Sequence, residues 1–336
     1  MTKKTFASCL VSRSGLGRLI RRASGQHGFI VLNYHRVGNL EGQLHDRGLW
    51  SASADGFEKQ LRFLKTECDV VEPQDIADLP SRGRGHYAMI TFDDGYRDNY
   101  EVAFPLLSSA GLKAVFFLAT GFLDAPRLPW WDEIAWMVHS SKRSGVAPTP
   151  ELPLRLCFDG DRQQAIGQLL WLYKKLPSDA AEVLMDDLAQ ATGSGRAPVS
   201  LAKATWMTWD MIRQMRQAGM TIGGHTVNHP ILANLPRFEQ EREITGCAKR
   251  IEEELHEPMR CFSYPRGKPD AFTDETRACL YEARVEWAFS YYGGRNHLGH
   301  NRVDFLDHFD IKRLAVEADM PIERFEAMVT LPQVFA

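Results

Sequence analysis

The chain has 336 residues, of which 44% are hydrophobic and 25% charged, and its formal net charge is -3. This ordinary globular composition supports a substantial core and argues against a largely disordered chain. The length suits one large α/β barrel. The near-neutral charge gives no indication of nucleic-acid binding, and no apolar run approaches the ~20 residues of a membrane-spanning helix.

The first 28 residues form a basic stretch without a single acidic side chain. Its basic residues are Lys3, Lys4, Arg13, Arg18, Arg21 and Arg22. Arg13 interrupts the apolar stretch that a secretory signal needs, so we recognise no signal peptide. One interpretation is an amphipathic arm in peripheral contact with an anionic membrane; a solvated terminus or an organellar presequence would have a similar composition. We expect a cytoplasmic protein, with a location at the inner membrane face as the alternative.

Seven short apolar runs predict buried strands. They lack strict alternation of polar and apolar residues, which is typical of parallel strands covered on both faces. In chain order they are Phe29–His35, Tyr87–Asp93, Lys113–Thr120, Met220–Thr226, Arg260–Pro265, Trp287–Tyr292 and Ile311–Val316.

Helical patterns separate most of these runs, and several carry clear capping or stop signals. The predicted helices are Asp55–Lys65, Asn99–Ala110, Thr208–Ala218, Arg237–His256, Thr273–Ala283 and Pro321–Val329. A strand followed by a helix, repeated about seven times, predicts an α/β fold with a parallel sheet that forms a distorted or incomplete (β/α)7 barrel. An open doubly wound sheet is the competing topology.

The segment at about 123–205 interrupts the repeat. It predicts helices at Trp130–His139 and on both sides of Pro177 within Asp161–Gln190, and a linker at Thr192–Pro198. We therefore expect a basic arm at 1–28 and a barrel at 29–336. The barrel would contain a mainly helical insertion, which is either a lid or a decoration of the fold.

Two adjacent carboxylates follow the second predicted strand, in the sequence Thr91-Phe92-Asp93-Asp94-Gly95. Catalytic groups of α/β barrels gather where parallel strands end. Two carboxylates placed there repel each other unless a divalent cation offsets their charge. Asp-Asp-Gly is also good turn chemistry, so a plain turn explains this motif equally well on its own.

Two histidines four residues apart follow the fourth predicted strand, in His225-Thr226-Val227-Asn228-His229. This spacing places both imidazoles on one side of a helical turn, and imidazole is the commonest nitrogen ligand of zinc. A helix start with two incidental histidines would explain the pair alone. Together, however, the two motifs supply Asp, His and His, and three protein ligands with an open position are typical of a catalytic metal.

These motifs resemble those of the polysaccharide deacetylases, the fourth family of carbohydrate esterases with NodB-like homology. TFDDG at 91–95 is similar to the family's first motif, and HTVNH at 225–229 to its second, His-Ser/Thr-x-x-His. The resemblance covers roughly Phe29–Val316, and Asn33-Tyr34-His35-Arg36-Val37 is similar to a branch that opens with a Tyr-His strand. The family implies a distorted barrel of seven βα units.

The resemblance implies that Asp93 is the general base and that Asp94, His225 and His229 bind the metal. The family's third motif is only partly kept in Phe262–Gly267, because Ser263 stands where an arginine is expected. Our candidate for the cation beside Asp93 is therefore Arg313, on the last predicted strand, with Arg266 as the second candidate.

Other residues are weaker candidates. The backbone N–H of Arg266 is a candidate oxyanion donor. Tyr264 and Trp131 are candidates for stacking on a sugar ring, although Trp131 fits a helix core equally well. The family's general acid comes from a late Leu-x-His motif, which Leu306-Asp307-His308 matches only in its letters. His35 ends the first predicted strand and is the other candidate catalytic group.

These residues together predict a metal-dependent N-deacetylase that acts on an N-acetylated amino sugar in a polysaccharide or glycan precursor. Zinc suits an Asp-His-His site, and cobalt, nickel, manganese and iron suit it too. The alternatives are a deformylase or deacylase of a lipid-linked sugar or other non-peptide amide, and a binding protein that keeps the fold without turnover. The missing fourth ligand argues against a purely structural metal.

Overall fold

The computed structural model describes residues 28–82, 85–150, 152–298, 306–318 and 320–335. Within these ranges the chain divides into two compact units. The first contains the chain up to Gly38, the segment Trp50–Asp124 and the chain from Met207 onward; the second contains Asn39–Leu49 and Ala125–Trp206. Apart from Gly28, the predicted basic arm lies outside the described residues, so its membrane contact stays a prediction.

Seven parallel strands form the sheet of the first unit. They are β1 (Gly28–Tyr34), β2 (His86–Phe92), β3 (Val115–Leu118), β4 (Thr221–Gly224), β5 (Cys261–Ser263), β6 (Trp287–Phe289) and β7 (Leu314–Ala315). Their order across the sheet is β6-β5-β4-β3-β2-β1-β7. Each corresponds to one of the seven predicted runs, so the predicted strand set is confirmed.

The chain just before β7 touches both edges of this sheet. Ile311 forms a parallel bridge with Phe289 of β6, while Leu314 and Ala315 pair with β1. The sheet is therefore curled, as expected for a distorted (β/α)7 barrel, and the open doubly wound alternative is wrong. Two short strands extend the sheet: Asp69–Val70 pairs with β2, and Asn296–His297 pairs antiparallel with β1.

Helices follow most of the strands, at positions close to the prediction. In the first unit they are Ala54–Glu67, Phe104–Ala110, Thr120–Asp124, Trp209–Gln217, Arg237–Leu255, Asp274–Glu282, Ile322–Thr330 and Pro332–Phe335. The single helix predicted at Asn99–Ala110 is instead a π-helical turn, Asn99–Ala103, followed by an α-helix. Pro105 explains the difference, because it has no N–H to donate to the preceding turn and the turn widens there.

One face of the curled sheet carries a continuous apolar core that includes alternate residues of several strands, among them Phe29, Val31, Met89, Phe117 and Phe289. The same alternation continues to the C-terminal ends of the strands. There the residues change from apolar to polar, with Asn33, Asp93, Ser263 and Arg313 buried above the core. The barrel thus places polar chemistry on a rigid apolar base.

The second unit is mainly helical. Its helices are Trp130–Ser140, Arg162–Tyr173, Ser178–Thr192 and Val199–Thr205, with a small hairpin of Gly145–Val146 and Leu156–Cys157. Two features differ from the prediction. Asn39–Leu49 groups with this unit, and the expected linker is tethered, because Arg196 forms two hydrogen bonds of 3.0 Å with the carboxylate of Glu133.

None of the helices in the described ranges has the length and apolarity to cross a bilayer. The cysteines in those ranges, Cys68, Cys157, Cys247, Cys261 and Cys279, are free thiols.

Candidate active site and metal centre

Strand register brings the two sequence motifs to one edge of the sheet. Tyr34 pairs with Phe92, so Asp93 lies level with His35 at the ends of β1 and β2. Gly224 pairs with Leu118 on one side and Phe262 on the other, so His225 is level with Ser263. Asp93, the His225–His229 motif and the partly kept third motif therefore converge at the C-terminal ends of neighbouring parallel strands, where barrel active sites lie.

Asp93 is held by a buried guanidinium. The Nη1 and Nη2 atoms of Arg313 donate to Oδ1 and Oδ2 of Asp93, each at 2.8 Å. Arg313 is 1% exposed, and its Nε donates to the carbonyl of Ser290 at 2.8 Å. Of the two candidate cations, the structure places Arg313 on Asp93. The Arg266 side chain instead pairs with Asp270 at 3.0 Å.

Two small polar side chains complete this network. Asn33 Nδ2 donates to Asp93 Oδ2 at 2.9 Å, and Ser263 Oγ donates to the same oxygen at 3.3 Å. Arg313 Nη2 also donates to Ser263 Oγ at 2.7 Å. Ser263, where the resemblance leads us to expect an arginine, thus contacts the guanidinium of Arg313, the residue directly before β7. The sequence did not predict Asn33, although it lies directly before the Tyr34-His35 pair.

The environment keeps Asp93 ionised. Burial alone would raise the pKa of its carboxyl group, but the charge of Arg313, the neighbouring His225 and the hydrogen bonds from Arg313 more than offset this. The net pKa lies well below the ordinary value. Asp93 is therefore a carboxylate at neutral pH, which is the form that a general base requires.

Asp94, His225 and His229 form the one cluster of potential metal ligands found in the described part of the chain. One donor atom from each lies within 4.8 Å of the others. The Nε2 atoms of both histidines are 3.4 Å from Asp94 Oδ1. The three donors come from two loops, at the ends of β2 and β4.

The donor set fits a divalent cation. Asp94 Oδ1 is buried and accepts no hydrogen bond from the described residues, so this negative oxygen has no donor to stabilise it. His225 Nδ1 lies 2.7 Å from the carbonyl oxygen of Ser263. Because a carbonyl only accepts, Nδ1 carries the proton and Nε2 keeps its lone pair toward Asp94, the arrangement usual for metal-binding histidines.

The surroundings shift the pKa values of the two imidazoles in opposite directions. Burial, together with His225, lowers the pKa of His229 to about 4, so this ring is neutral at physiological pH. For His225, burial lowers the pKa, but Asp93 and Asp94 outweigh it and raise the value overall. The carboxylates that favour a proton on His225 would equally favour a cation in its place.

Left-handed backbone is concentrated in these loops. Of six non-glycine residues with positive φ in the described ranges, four are at strand ends around the site: Asp94 (75°), Thr226 (67°), His229 (59°) and Arg266 (61°). Such conformations cost about 1–3 kcal/mol each and persist where surrounding contacts enforce them. Their concentration here makes these loops candidates for a functional role.

His35 follows β1 and lies level with Asp93 at the strand ends. Its charge would influence Asp93 and Asp94, and its ring packs edge-on against Tyr291 with centroids 5.9 Å apart. Its backbone is fixed on both sides, because its N–H donates to Ser51 Oγ and its carbonyl accepts from Asn99 Nδ2. His35 is thus an imidazole on a fixed backbone, near enough to both carboxylates to affect their pKa values.

Three other candidates are placed elsewhere. Tyr264 is 1% exposed, stacks on Phe272, and donates its hydroxyl to the Phe309 carbonyl, so its ring has no free face for a sugar. Trp131 is 6% exposed within the second unit, as a helix-core residue would be. His308 stacks on Trp287; this tryptophan begins β6, so His308 is at the opposite end of the strands from Asp93.

The chain is similar to proteins of one family by sequence. Residues 81–144 and 147–286 match the family model described as polysaccharide deacetylase. The chain is also 21% identical over 188 residues to YxkH of Bacillus subtilis (strain 168), whose description as a polysaccharide deacetylase is provisional. That match covers 56% of this chain, and the chain spans only 38% of that relative's length.

Solved structures share the fold. The Streptococcus pyogenes deacetylase PplD, solved in complex with acetate, aligns with a TM-score of 0.58 at 16% identity, over 92% of this chain and 98% of its own. The polysaccharide deacetylase BC0361 of Bacillus cereus aligns with a TM-score of 0.57 at 15% identity, over 90% of this chain and 69% of its own. A de-N-acetylase of Aggregatibacter actinomycetemcomitans aligns with a TM-score of 0.55 at 18% identity, over 88% of this chain and 99% of its own. At these identities the likeness shows the fold.

Proposed function

Because the chain belongs to the polysaccharide deacetylase family, whose enzymes hydrolyse non-peptide carbon–nitrogen bonds, we propose that it removes the N-acetyl group from an amino sugar. The substrate would be a polysaccharide or a glycan precursor, such as one of the cell envelope. The observation that carries the proposal is the convergence of a metal-ligand triad, Asp94, His225 and His229, with the ionised Asp93–Arg313 pair.

A divalent cation bound by Asp94, His225 and His229 would polarise the acetamide carbonyl and lower the pKa of a water molecule. Zinc suits this donor set best among common biological metals, and cobalt, nickel, manganese and iron are also compatible with it. Three protein ligands leave room for water and substrate, as hydrolysis requires.

Asp93 is suited to take the proton from the attacking water. Among the described residues its Oδ2 accepts from Asn33, Ser263 and Arg313, whereas its Oδ1 accepts from Arg313 alone. Oδ1 therefore keeps a lone pair for the proton. Arg313 balances the carboxylate charge and holds its plane, so the base is positioned before the substrate arrives.

The carbon–nitrogen bond then breaks with proton transfer to the leaving amine. Water oxygen forms a bond to the carbonyl carbon, and the departing nitrogen must gain a proton to leave as an amine. His35 is our candidate donor, because it is level with Asp93 at the strand ends and its charge affects both Asp93 and Asp94. The backbone N–H of Arg266 remains our candidate donor to the oxyanion. The products are acetate and a free amino sugar.

The experiment that tests this function is the release of acetate and free amine from short N-acetylglucosamine oligomers. The purified protein is assayed with a chelator and after zinc or cobalt is added back. Asp93→Asn should bind metal normally but lower the rate about 10²–10⁴-fold, the range for a lost general base. Asp159→Asn, an exposed aspartate of the second unit, is the matched control and should keep full activity.

The outcomes separate the alternatives. Full activity in Asp93→Asn would contradict the assigned base. If the metal-loaded protein releases no acetate from the oligomers, the N-acetyl oligomer substrate is wrong, and lipid-linked sugars and other non-peptide amides with formyl or longer acyl groups are assayed next. Liposome binding with and without residues 1–25 checks the proposed membrane contact of the basic arm.

A further inference from the structure

A buried carboxylate outside the metal triad holds the loop that carries both histidines. Glu243 lies on the helix Arg237–Leu255 and is 5% exposed. Its Oε2 accepts hydrogen bonds from the backbone N–H groups of Val227 (2.9 Å) and Asn228 (2.7 Å). Its Oε1 accepts from Asn228 Nδ2 at 2.7 Å. All three donors belong to residues between His225 and His229.

These three hydrogen bonds stabilise the buried carboxylate of Glu243. Within the described ranges no lysine or arginine forms an ion pair with Glu243. A carboxylate taken out of water needs other strong partners, and backbone N–H groups are good donors to it. The loop and the helix therefore stabilise each other: the loop amides donate to the buried carboxylate of Glu243, and this carboxylate is their hydrogen-bond acceptor.

The rest of the loop backbone is held from the opposite side. Thr120 N–H donates to the Thr226 carbonyl at 3.2 Å, and Gly121 N–H donates to the Val227 carbonyl at 2.8 Å. These contacts fix the carbonyl groups but not the amides. The backbone amides of Val227 and Asn228 donate instead to Glu243.

We propose that Glu243 is a positioning residue for the metal site, which sets the spacing and direction of the His225 and His229 imidazoles through the backbone between them. The proposal rests on the proposed function insofar as the triad must bind a metal. Thr226 and His229 both have left-handed backbone, which relaxes when nothing enforces it. Without Glu243, the loop would keep the hydrogen bond from His229 N–H to Thr226 Oγ1 but would lose the contacts that fix the two residues between them.

The proposal predicts different results for two substitutions. Glu243→Ala removes all three acceptors and should weaken zinc or cobalt binding about 10–100-fold, the usual effect of losing a supporting contact to a metal ligand. Glu243→Gln keeps one oxygen for the two backbone amides. The Asn228 side-chain amide can then turn to accept from the new Nε2, so metal affinity should stay near that of the unaltered protein.

Metal affinity is measured by competition with a chromophoric chelator, using the full chain. The visible absorption of the cobalt-loaded protein reports the coordination geometry, and should change in Glu243→Ala but not in Glu243→Gln. Glu241→Ala is the matched control, because this glutamate is on the same helix two residues away and exposed. If Glu243→Ala does not fold, Glu243→Asp keeps the charge but withdraws the carboxylate, and should also weaken binding.

The outcomes distinguish this inference from the proposed function. An unaltered protein that binds no metal would overturn both. Metal binding that is normal in the unaltered protein and unchanged in Glu243→Ala, or in Glu243→Asp where Ala does not fold, would overturn only the role of Glu243. Equal losses in Glu243→Ala and Glu243→Gln would assign the effect to charge, and would overturn positioning by hydrogen bonds.

Discussion

At the scale of single residues, the Asp93–Arg313 pair shows how the free-energy cost of burying two charged side chains is offset. Both side chains are almost fully buried, at 3% and 0% exposure, and each would be strongly unfavourable alone in the barrel core. The bidentate geometry, with Asn33 and Ser263 as further donors, provides the hydrogen bonds that such a pair requires. The pair therefore contributes to the stability of the fold and would also serve the proposed chemistry, so its removal should affect both.

Removing the guanidinium should destabilise the protein. Arg313→Met leaves the Asp93 charge buried without its cation, so the free energy of unfolding should fall by about 3–5 kcal/mol. Arg313→Lys keeps the positive charge but not the two parallel N–H donors of the guanidinium, so its free energy of unfolding should fall less. The measurement is urea unfolding in the presence of a chelator. The double variant Asp93→Asn/Arg313→Met should lose less than the sum of its single variants, and strictly additive losses would contradict a coupled pair.

His35 gives a second prediction at this scale. His35→Gln removes a titratable group while keeping a polar side chain of similar size, so an acid that protonates the leaving amine would be lost. The deacetylation rate should fall about 10²–10⁴-fold, while metal affinity stays unchanged because His35 is not in the ligand triad. His308→Gln, at the other end of the strands, should leave the rate intact. A larger loss in His308→Gln than in His35→Gln would reverse the assignment.

Residue identity predicted only part of this site. Asp94, His225 and His229 could be selected from two local motifs, because their order in the chain places them at strand ends. Asp93 could be assigned by resemblance. Glu243 could not, because it lies in a helix rich in Glu and Arg and its burial depends on a tertiary contact with the 225–229 loop. Long-range partners of this kind have no local signal.

At the scale of secondary-structure elements, the loop after β4 depends on a close approach by the helix Thr120–Asp124. Gly121 donates to the Val227 carbonyl, and a Cβ added at Gly121 would lie 2.7 Å from that oxygen and 3.1 Å from Asn228 Oδ1. Only a residue without a side chain permits this contact. The metal-binding loop is thus held between a glycine on one side and Glu243 on the other.

Gly121→Ala should therefore displace the loop. We expect a loss of about 1–3 kcal/mol in the free energy of unfolding, as for other overpacked sites, together with weaker metal binding. Gly167→Ala is the matched control, since a Cβ there meets nothing within 4 Å in the interior of the helix Arg162–Tyr173. That change should stabilise the protein by about 0.5–1 kcal/mol. Urea unfolding and chelator competition measure both effects, and unchanged metal affinity in Gly121→Ala would show that the loop tolerates the shift.

Elements were predictable where their signals are local. The strands follow from apolar runs, and helix ends follow from residues such as Thr208 and Gly111, whose capping roles the structure shows. The π-helical turn at Asn99–Ala103 was missed because it arises from the proline that follows it. The helix Val199–Thr205 was missed because a proline-bounded stretch directly after a predicted linker has too few residues to show a period.

At the scale of the whole molecule, the seven-unit barrel was predictable because each βα unit is local in sequence. The grouping of Asn39–Leu49 with the second unit was not, because the segment Trp50–Asp124 separates these residues from the rest of it in the sequence. All members of the candidate metal centre belong to the first unit. Metal binding should therefore stabilise the fold of that unit, and this has a measurable consequence.

Metal bound at the triad should raise the thermal stability of the protein. A ligand that binds only the folded state stabilises it by RT ln(1 + [L]/Kd), which is about 4 kcal/mol at a thousand-fold excess over Kd. Zinc should therefore raise the melting temperature of the chelator-treated protein by on the order of 10 °C, measured by calorimetry. Asp94→Asn should lose most of this rise, whereas Asp93→Asn should keep it, because only the former removes a ligand.

A core substitution in the second unit supplies the control for this measurement. Leu184→Ala should cost about 2–5 kcal/mol, because Leu184 is fully buried among the helices of that unit. It removes no metal ligand, so the rise produced by zinc should persist from a lower starting temperature. If zinc gives no rise in the unaltered protein, or the same rise in Asp94→Asn, the cation does not bind at the triad, and the chemistry assigned to Asp93 would lack the partner it requires.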